Sequence, residues 1–264
     1  MELFEVGGCV RDEILGVPSK DIDFSVVLTD VERRLCEEDD IPPFMFMSDT
    51  LRGMGFEIFL ETPEHLTVRA QFPKGDGGFG VKRAGGPINA GKKRLTADFV
   101  LARKEGTYSD GRRPDSVEVG TLEDDLARRD FTMNAIAKDA EGNLIDPFNG
   151  QADIADRIIR AVGDPHERLE EDALRAVRAL RFSVTKDFTI EKGLYNALSD
   201  IYVVEAVERR ISDERIQQEL SKMFRFNTPR SLATLMEFPV LTDAMFAGRV
   251  SLDATMKTKG RGHV

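Results

Sequence analysis

Two carboxylates one residue apart, Asp21 and Asp23, follow a Gly7-Gly8 pair after twelve intervening residues. In a strand, alternate side chains share a face, so Asp21 and Asp23 project together while Ile22 and Phe24 turn to a core. Adjacent carboxylates on one rigid strand repel unless a cation lies between them, and hard oxygen donors suit magnesium. The same pattern also fits a strand edge with two solvated acids. A third acid, Asp98, stands in Thr96-Ala97-Asp98-Phe99-Val100. Laid beside the first strand, it completes a site for two metal ions, one activating an attacking hydroxyl and both stabilising a pentavalent phosphate. Gly7 and Gly8, with no side chains to obstruct, let backbone N–H groups approach a triphosphate. Arg11, at the start of the following helix, is placed to neutralise that triphosphate, or else forms a surface ion pair with Asp12.

A second cluster is Glu171-Asp172-Ala-Leu-Arg175-Ala-Val-Arg178-Ala-Leu-Arg181. On one helix Asp172 and Arg175 are i, i+3 neighbours, with Ala173, Val177 and Leu180 as the buried stripe. The plain explanation is an intrahelical salt bridge. The chemical one is base reading, in which a carboxylate accepts from an exocyclic amine while a guanidinium donates to a ring acceptor. Cytosine and adenine offer that pair of groups, and uracil and guanine offer the reverse.

The elements that must position these residues are legible as an α+β chain. Leu3–Val6 reads as a strand running into Gly7-Gly8, followed by a helix at Cys9–Leu15, a turn at Gly16–Ser19 and a strand at Ile22–Leu28. Helices are expected at Asp30–Glu38 and near Ser48–Met54, after a turn at Pro42-Pro43, and strands at Phe56–Leu60, Leu66–Phe72 and Leu95–Ala102. Residues 73–94 hold seven glycines, two prolines and six Lys/Arg, which reads as a loop. Within it Gly86 to Lys93 nearly spells a phosphate-binding P-loop, but Lys93 takes the hydroxyl position and no strand leads in. A connector or a basic flap touching RNA phosphates remains.

After a polar loop at Gly106–Glu118, a helix from Leu122 through Ala135 carries Arg128 and Arg129. No strand is expected beyond Asp146-Pro147, and 151–161, 169–184, 191–201 and 212–224 show helical periodicity. The expected division is a head over residues 1–145 and a helical unit over 146–264.

Composition sets limits. The 264 residues are 41% hydrophobic and 32% charged, which excludes a disordered or fibrous chain. No apolar run approaches the roughly 20 residues of a membrane helix, and Glu2 and Glu5 stand where a basic, then apolar, leader would. The expectation is a soluble cytoplasmic protein with no membrane partner. Cys9 and Cys36 are too few for a disulfide framework and read as small buried hydrophobes. His65, His166 and His263 are too scattered for a histidine-rich metal site. The net charge of −10 argues, as a sum, against a nucleic-acid partner. Its distribution argues otherwise, because residues 1–60 carry 5 basic and 14 acidic groups, Asp21 and Asp23 among them, and so hold most of the excess. The phosphate-facing cations are then those of Lys74–Arg94 and the arginines of the second cluster.

Five ordered segments, Gly7-Gly8-Cys-Val-Arg11-Asp12, Lys20-Asp21-Ile22-Asp23, Arg128-Arg129-Asp130-Phe-Thr-Met-Asn134-Ala135, Asp146-Pro-Phe-Asn-Gly150 and Glu171 to Arg178, resemble the successive motifs of class II tRNA nucleotidyltransferases (CCA-adding enzymes) and bacterial poly(A) polymerases. Ile211 to Lys222 looks like a further motif of that family. The resemblance covers about residues 1–240. It implies a polymerase-β-like head on a helical neck, with magnesium at Asp21 and Asp23 and with Asp98 as third acid. It also implies nucleotide contacts at Gly7, Gly8, Arg11 and Arg129, and base selection by Asp172 and Arg175 with Arg178 and Arg181 nearby. The activity implied is template-independent addition of C and A to the tRNA 3′ end from CTP and ATP, or A addition alone. Members commonly continue through helices that grip the tRNA elbow. This chain stops at Val264 with a short basic end (Lys257, Lys259, Arg261), so the resemblance is to a shortened member.

Overall fold

The structure is a computed structural model that describes residues 1–19, 22–73, 82–83, 86–87, 95–106, 116–248 and 250. The expected α+β class is observed, as a seven-stranded mixed sheet joined to a set of helices. The first strand, β1 (Glu2–Val6), ends at Gly7, whose φ of +77° is a conformation that side chains rarely adopt. The chain turns there directly into α1 (Gly8–Ile14). β2 (Asp23–Val27) returns antiparallel to β1.

α2 (Asp30–Glu38) begins where a Thr29/Glu32 capping box satisfies its first N–H groups. α3 (Pro43–Gly53) starts earlier than expected, because Pro43 opens a helix as readily as it makes a turn. β3 (Glu57–Thr62) and β4 (Thr67–Gln71) form a hairpin with a bulge. Most of 73–94 lies outside the described residues, including Lys74 and the near P-loop's lysines. Within it β5 (Lys82–Arg83) pairs with β6 (Gly86–Pro87). β7 (Thr96–Leu101) lies parallel to β2 and antiparallel to β4. In the expected polar loop, residues 107–115 lie outside the described set, and its end is a strand, β9 (Val117–Val119), paired with β8 (Arg103–Glu105).

The expected helix from Leu122 to Ala135 is shorter. α4 (Leu122–Ala127) stops, and Thr132–Asn134 makes one 3-10 turn. Tertiary pairing overrides the periodicity: Phe131 bridges to Ala161, and the Thr132 N–H donates to the Arg160 carbonyl at 3.0 Å. β10 (Ala137–Lys138) and β11 (Leu144–Ile145) complete the sheet, in the order β11-β10-β1-β2-β7-β4-β3.

The remainder is α5 (Gly150–Asp156), β12 (Ile158–Ile159), α6 (Pro165–Glu171), α7 (Leu174–Lys186), β13 (Thr189–Ile190), α8 (Lys192–Leu198), α9 (Ile201–Arg210), α10 (Asp213–Phe226), α11 (Thr228–Glu237) and α12 (Pro239–Phe246). The expectation of no strand here is corrected by the parallel pair β12 and β13, each two β-branched residues long. The expected helix at 191–201 divides at Asp200, whose carboxylate caps α9. No helix among the described residues is long and apolar enough to cross a membrane.

One sheet face packs on α2 and α3, where Phe24 stacks on Phe99 with centroids 5.0 Å apart beside Cys36, Met47 and Leu51. The largest core cluster joins Cys9 and Val10 of α1 and Phe131, Met133 and Ile136 to α7 and the helices after it. That core is continuous across the expected division near residue 145. Both cysteines are buried, as expected.

Candidate active site

Asp23 opens β2 and pairs in register with Val6 of β1 on one side and Asp98 of β7 on the other. Asp98 in turn pairs with Arg69 of β4. Register partners share a face, so one row across the sheet reads Val6, Asp23, Asp98, Arg69, with the aromatic core behind it. Asp21 lies outside the described residues. Both oxygens of Asp98 are clasped by Arg69, Nε to Oδ1 at 2.5 Å and Nη2 to Oδ2 at 2.6 Å. Sequence reasoning missed Arg69, which lies in an ordinary alternating strand and acquires its role only from the register.

Gly7 stands at the other end of the row. A Cβ there would sit 2.8 Å from Arg129 Nη1 and 3.8 Å from Asp23 Oδ2, so the missing side chain is what lets a guanidinium and a carboxylate face the same turn. Among the described residues, Gly8 has only Arg11 within reach of a Cβ, at 3.5 Å. Arg129 is steadied by Asp125, which accepts from Nη2 at 3.0 Å, while its buried Nε has no hydrogen-bond partner among the described residues. Burial opposes ionisation of Asp125, but Arg129 and Arg128 outweigh it and hold the carboxyl at about 2. The site therefore offers a donor beside Gly7 with its counter-charge already fixed behind it.

Arg11 forms the expected pair with Asp12, at 2.8 Å, but as a buried group rather than on the surface, and it also donates to Asn134 Oδ1 at 2.5 Å. Lys186 of α7 reaches the same Asp12 at 2.8 Å, which ties the first helix to the neck. Asn134 passes the network on by donating to Asp130 Oδ1 at 2.8 Å, and Asp130 Oδ2 accepts from Arg178 Nε and Nη2 at 2.8 and 2.6 Å. Burial works against the charge of Asp130, yet Arg178 and Asn134 pull its carboxyl down to about 2. Arg11, Arg178 and Arg181 all lie over the Phe182 ring, Arg181 closest at 3.8 Å, a cation–π arrangement. Arg181 is also paired with Glu219 of α10.

The expected Asp172–Arg175 pair on one helix is corrected. Asp172 is extended between α6 and α7, its Oδ1 accepting from the Leu174 N–H at 3.1 Å. A short acidic side chain that bonds its own backbone competes with the helix in this way. Its Oδ2 accepts from Arg215 of α10 at 3.2 Å. Arg175 instead donates to Glu171 and the Arg168 carbonyl, both at 2.7 Å, and to the Arg128 carbonyl at 2.8 Å. Arg175 does form a salt bridge, but with Glu171 at the end of α6 rather than with an acid of its own helix. Ala173, Val177 and Leu180 are buried as expected.

Residues 61–160 match the family described as poly A polymerase head domain. CCA-adding enzymes are similar over most of the chain. That of Ligilactobacillus salivarius is 36% identical over 235 residues, 87% of this chain and 47% of the relative. That of Limosilactobacillus fermentum is 37% identical over 84% of this chain and 46% of the relative. The chain thus spans about half the length of these relatives. Among solved structures, the Bacillus stearothermophilus CCA-adding enzyme in complex with CTP is 30% identical with a TM-score of 0.63, over 90% of this chain and 48% of that one. The Thermotoga maritima CCA-adding enzyme complexed with tRNA is 25% identical with a TM-score of 0.65, over 93% and 48%.

Proposed function

The chain belongs to the tRNA nucleotidyltransferase and poly(A) polymerase family, and on that premise we propose that it adds C and A residues, without a template, to the 3′ end of tRNA from CTP and ATP, in the cytoplasm. The observation that carries the reading is the in-register pairing of Asp23 with Asp98, flanked on the β1 side by Gly7 and Arg129.

The donor set fits a hard divalent cation. Asp23 and Asp98 are all-oxygen donors on adjacent parallel strands, and Asp21 precedes Asp23 by two residues. Asp21 and Asp23 would hold Mg2+ with Asp98 as third acid, and the bound ions supply activation of the attacking 3′-hydroxyl and charge stabilisation at the α-phosphate. The chain's own groups do the rest. The Gly7-Gly8 turn admits the triphosphate, and the Arg129 guanidinium, whose Nη1 faces Gly7, donates to it. Arg11, with Asn134, Asp130 and Arg178 behind it, keeps α1 and its Gly7-Gly8 turn fixed against the neck. Asp98 must leave Arg69 before it can hold a cation or receive a proton. Base choice falls to Asp172 and Arg175. Asp172 is held in an accepting orientation by Arg215, and Arg175 reaches a base by exchanging Glu171, a partly exposed partner. Arg178 and Arg181 support them through Asp130 and Glu219.

Purified protein given tRNA lacking its terminal CCA and each labelled triphosphate tests the proposal. CTP incorporation followed by a single ATP is expected, long A tails would favour poly(A) synthesis, and no incorporation would overturn it. Asp172→Ala is expected to erase the preference for C and A over U and G while leaving transfer itself measurable.

A further inference from the structure

The row that carries the acids continues past Arg69 to the edge of the sheet. There β3 is bulged: Ile58 pairs with Ala70 and Leu60 with Arg69, so Phe59 is the extra residue and Phe59 and Leu60 together oppose Arg69. Bulges recur at sheet edges and beside active sites, where they re-aim a side chain. An edge can also be bulged only to blunt it, but that device normally comes with charges or proline. This edge strand does carry Glu57 and Glu61 on either side, but the bulge itself presents two large apolar residues, Phe59 55% exposed and Leu60 50%.

Resting on the nucleotidyl-transfer reading above, the direction of the reaction says what such a surface would meet. In an in-line displacement the attacking and leaving oxygens lie on opposite sides of the phosphorus. If the pyrophosphate leaves toward Gly7 and Arg129, at the β1 end of the row, the attacking 3′-hydroxyl arrives from the far side, over Asp98 and Arg69. The bulge lies two strands beyond Asp98, on the order of 10 Å at ordinary strand spacing, within the span of the last nucleotides of the attacking strand.

We propose that the bulged edge, Phe59 and Leu60 with Arg69 beside them, is the seat for the 3′-terminal nucleotides of the acceptor RNA. Phe59 offers a face on which a base stacks without regard to its identity, the usual way a single-stranded end is held. Arg69, released from Asp98 when the acids take up a cation, is, among the described residues, a cation placed for the phosphate of that nucleotide. Glu61, the neighbouring acid, is already paired with Arg52 at 2.9 Å and with Ser48, which reduces its repulsion of RNA.

Phe59 is exposed, so its replacement leaves the fold intact. Steady-state kinetics on tRNA lacking CCA are expected to show that Phe59→Ala raises KM for the RNA about tenfold, leaves KM for CTP unchanged, and is rescued by Phe59→Trp. Fluorescence anisotropy with the same labelled RNA and no triphosphate is expected to show the matching loss of affinity. Values within twofold of the parent protein in both measurements would overturn the proposal. If the parent protein labels no RNA, the transfer reading fails by itself, and the anisotropy comparison still decides the seat: weaker binding by Phe59→Ala upholds it, and equal binding or none overturns it.

Discussion

The acid row on the sheet and the arginine lattice of the neck are built from the same charged side chains to opposite ends. On the sheet, Asp98 and Arg69 are paired at an open surface, with side chains 26% and 49% exposed. Where α1 and the 130–134 segment meet α7, Asp130, Arg178, Asn134 and Arg11 satisfy one another around a buried carboxylate, the Asp130 side chain only 9% exposed and that of Arg178 33%. An exposed pair costs little to separate, whereas one side of a buried pair cannot be removed without stranding the other. The difference teaches which charges are available to a substrate and which hold the site in shape: the row can exchange partners, and the lattice cannot.

The sharpest way to break that contrast is at the row. Asp23→Ala is expected to lower nucleotide addition by about 10^3-fold or more, from the charge stabilisation a metal site supplies, while circular dichroism and thermal melting stay close to those of the parent. Loss of activity together with loss of fold would make the row structural. The lattice should answer the other way: Arg178→Met leaves Asp130 buried without its cation and is expected to cost about 3–5 kcal/mol in urea unfolding, part of it recovered when Asp130→Asn is added.

Acid sharpens the same point. Asp125 and Asp130 ordinarily titrate near 3.8 and are held at about 2 in the folded chain, so between those values the unfolded chain binds more protons than the folded one. Stability is therefore full above pH ~4 and falls as pH drops toward 2, by about 2 kcal/mol for each group. Unfolding followed across that range should show a shallower fall in Asp130→Asn. The smallest effect belongs to the exposed pairs of Arg52 with Asp49 and Glu61, where Arg52→Ala is expected to change stability by no more than about 0.5 kcal/mol.

Much of this was legible in the chain. The Gly7 turn, the strands bearing Asp23 and Asp98, and the helix at Asp30–Glu38 follow from local signals and stand where those signals put them. The helices expected at 122–135 and 169–184 are both shorter because bonds that periodicity does not register take over the backbone: Phe131 and Thr132 pair with Ala161 and Arg160, and the Asp172 side chain bonds the Leu174 N–H. Arg69, Asn134, Arg215 and Phe182 carried no local signal of their roles, since nothing in a single strand or helix says what will face it.

What the sequence by itself determined was the chemical inventory: paired carboxylates after a glycine turn, an aromatic-backed strand for a third acid, and an arginine-rich helix. Those depend on residue type and short spacing, which the chain carries locally. Only the tertiary structure decided the pairings, with Asp98 set against Arg69, Arg178 on Asp130, Asp172 with Arg215, and Arg11 turned inward. The physical reason is that a charged side chain pairs with whatever group the fold brings within reach, buried or at the surface, and those partners stand 29, 48, 43 and 123 residues away in the chain.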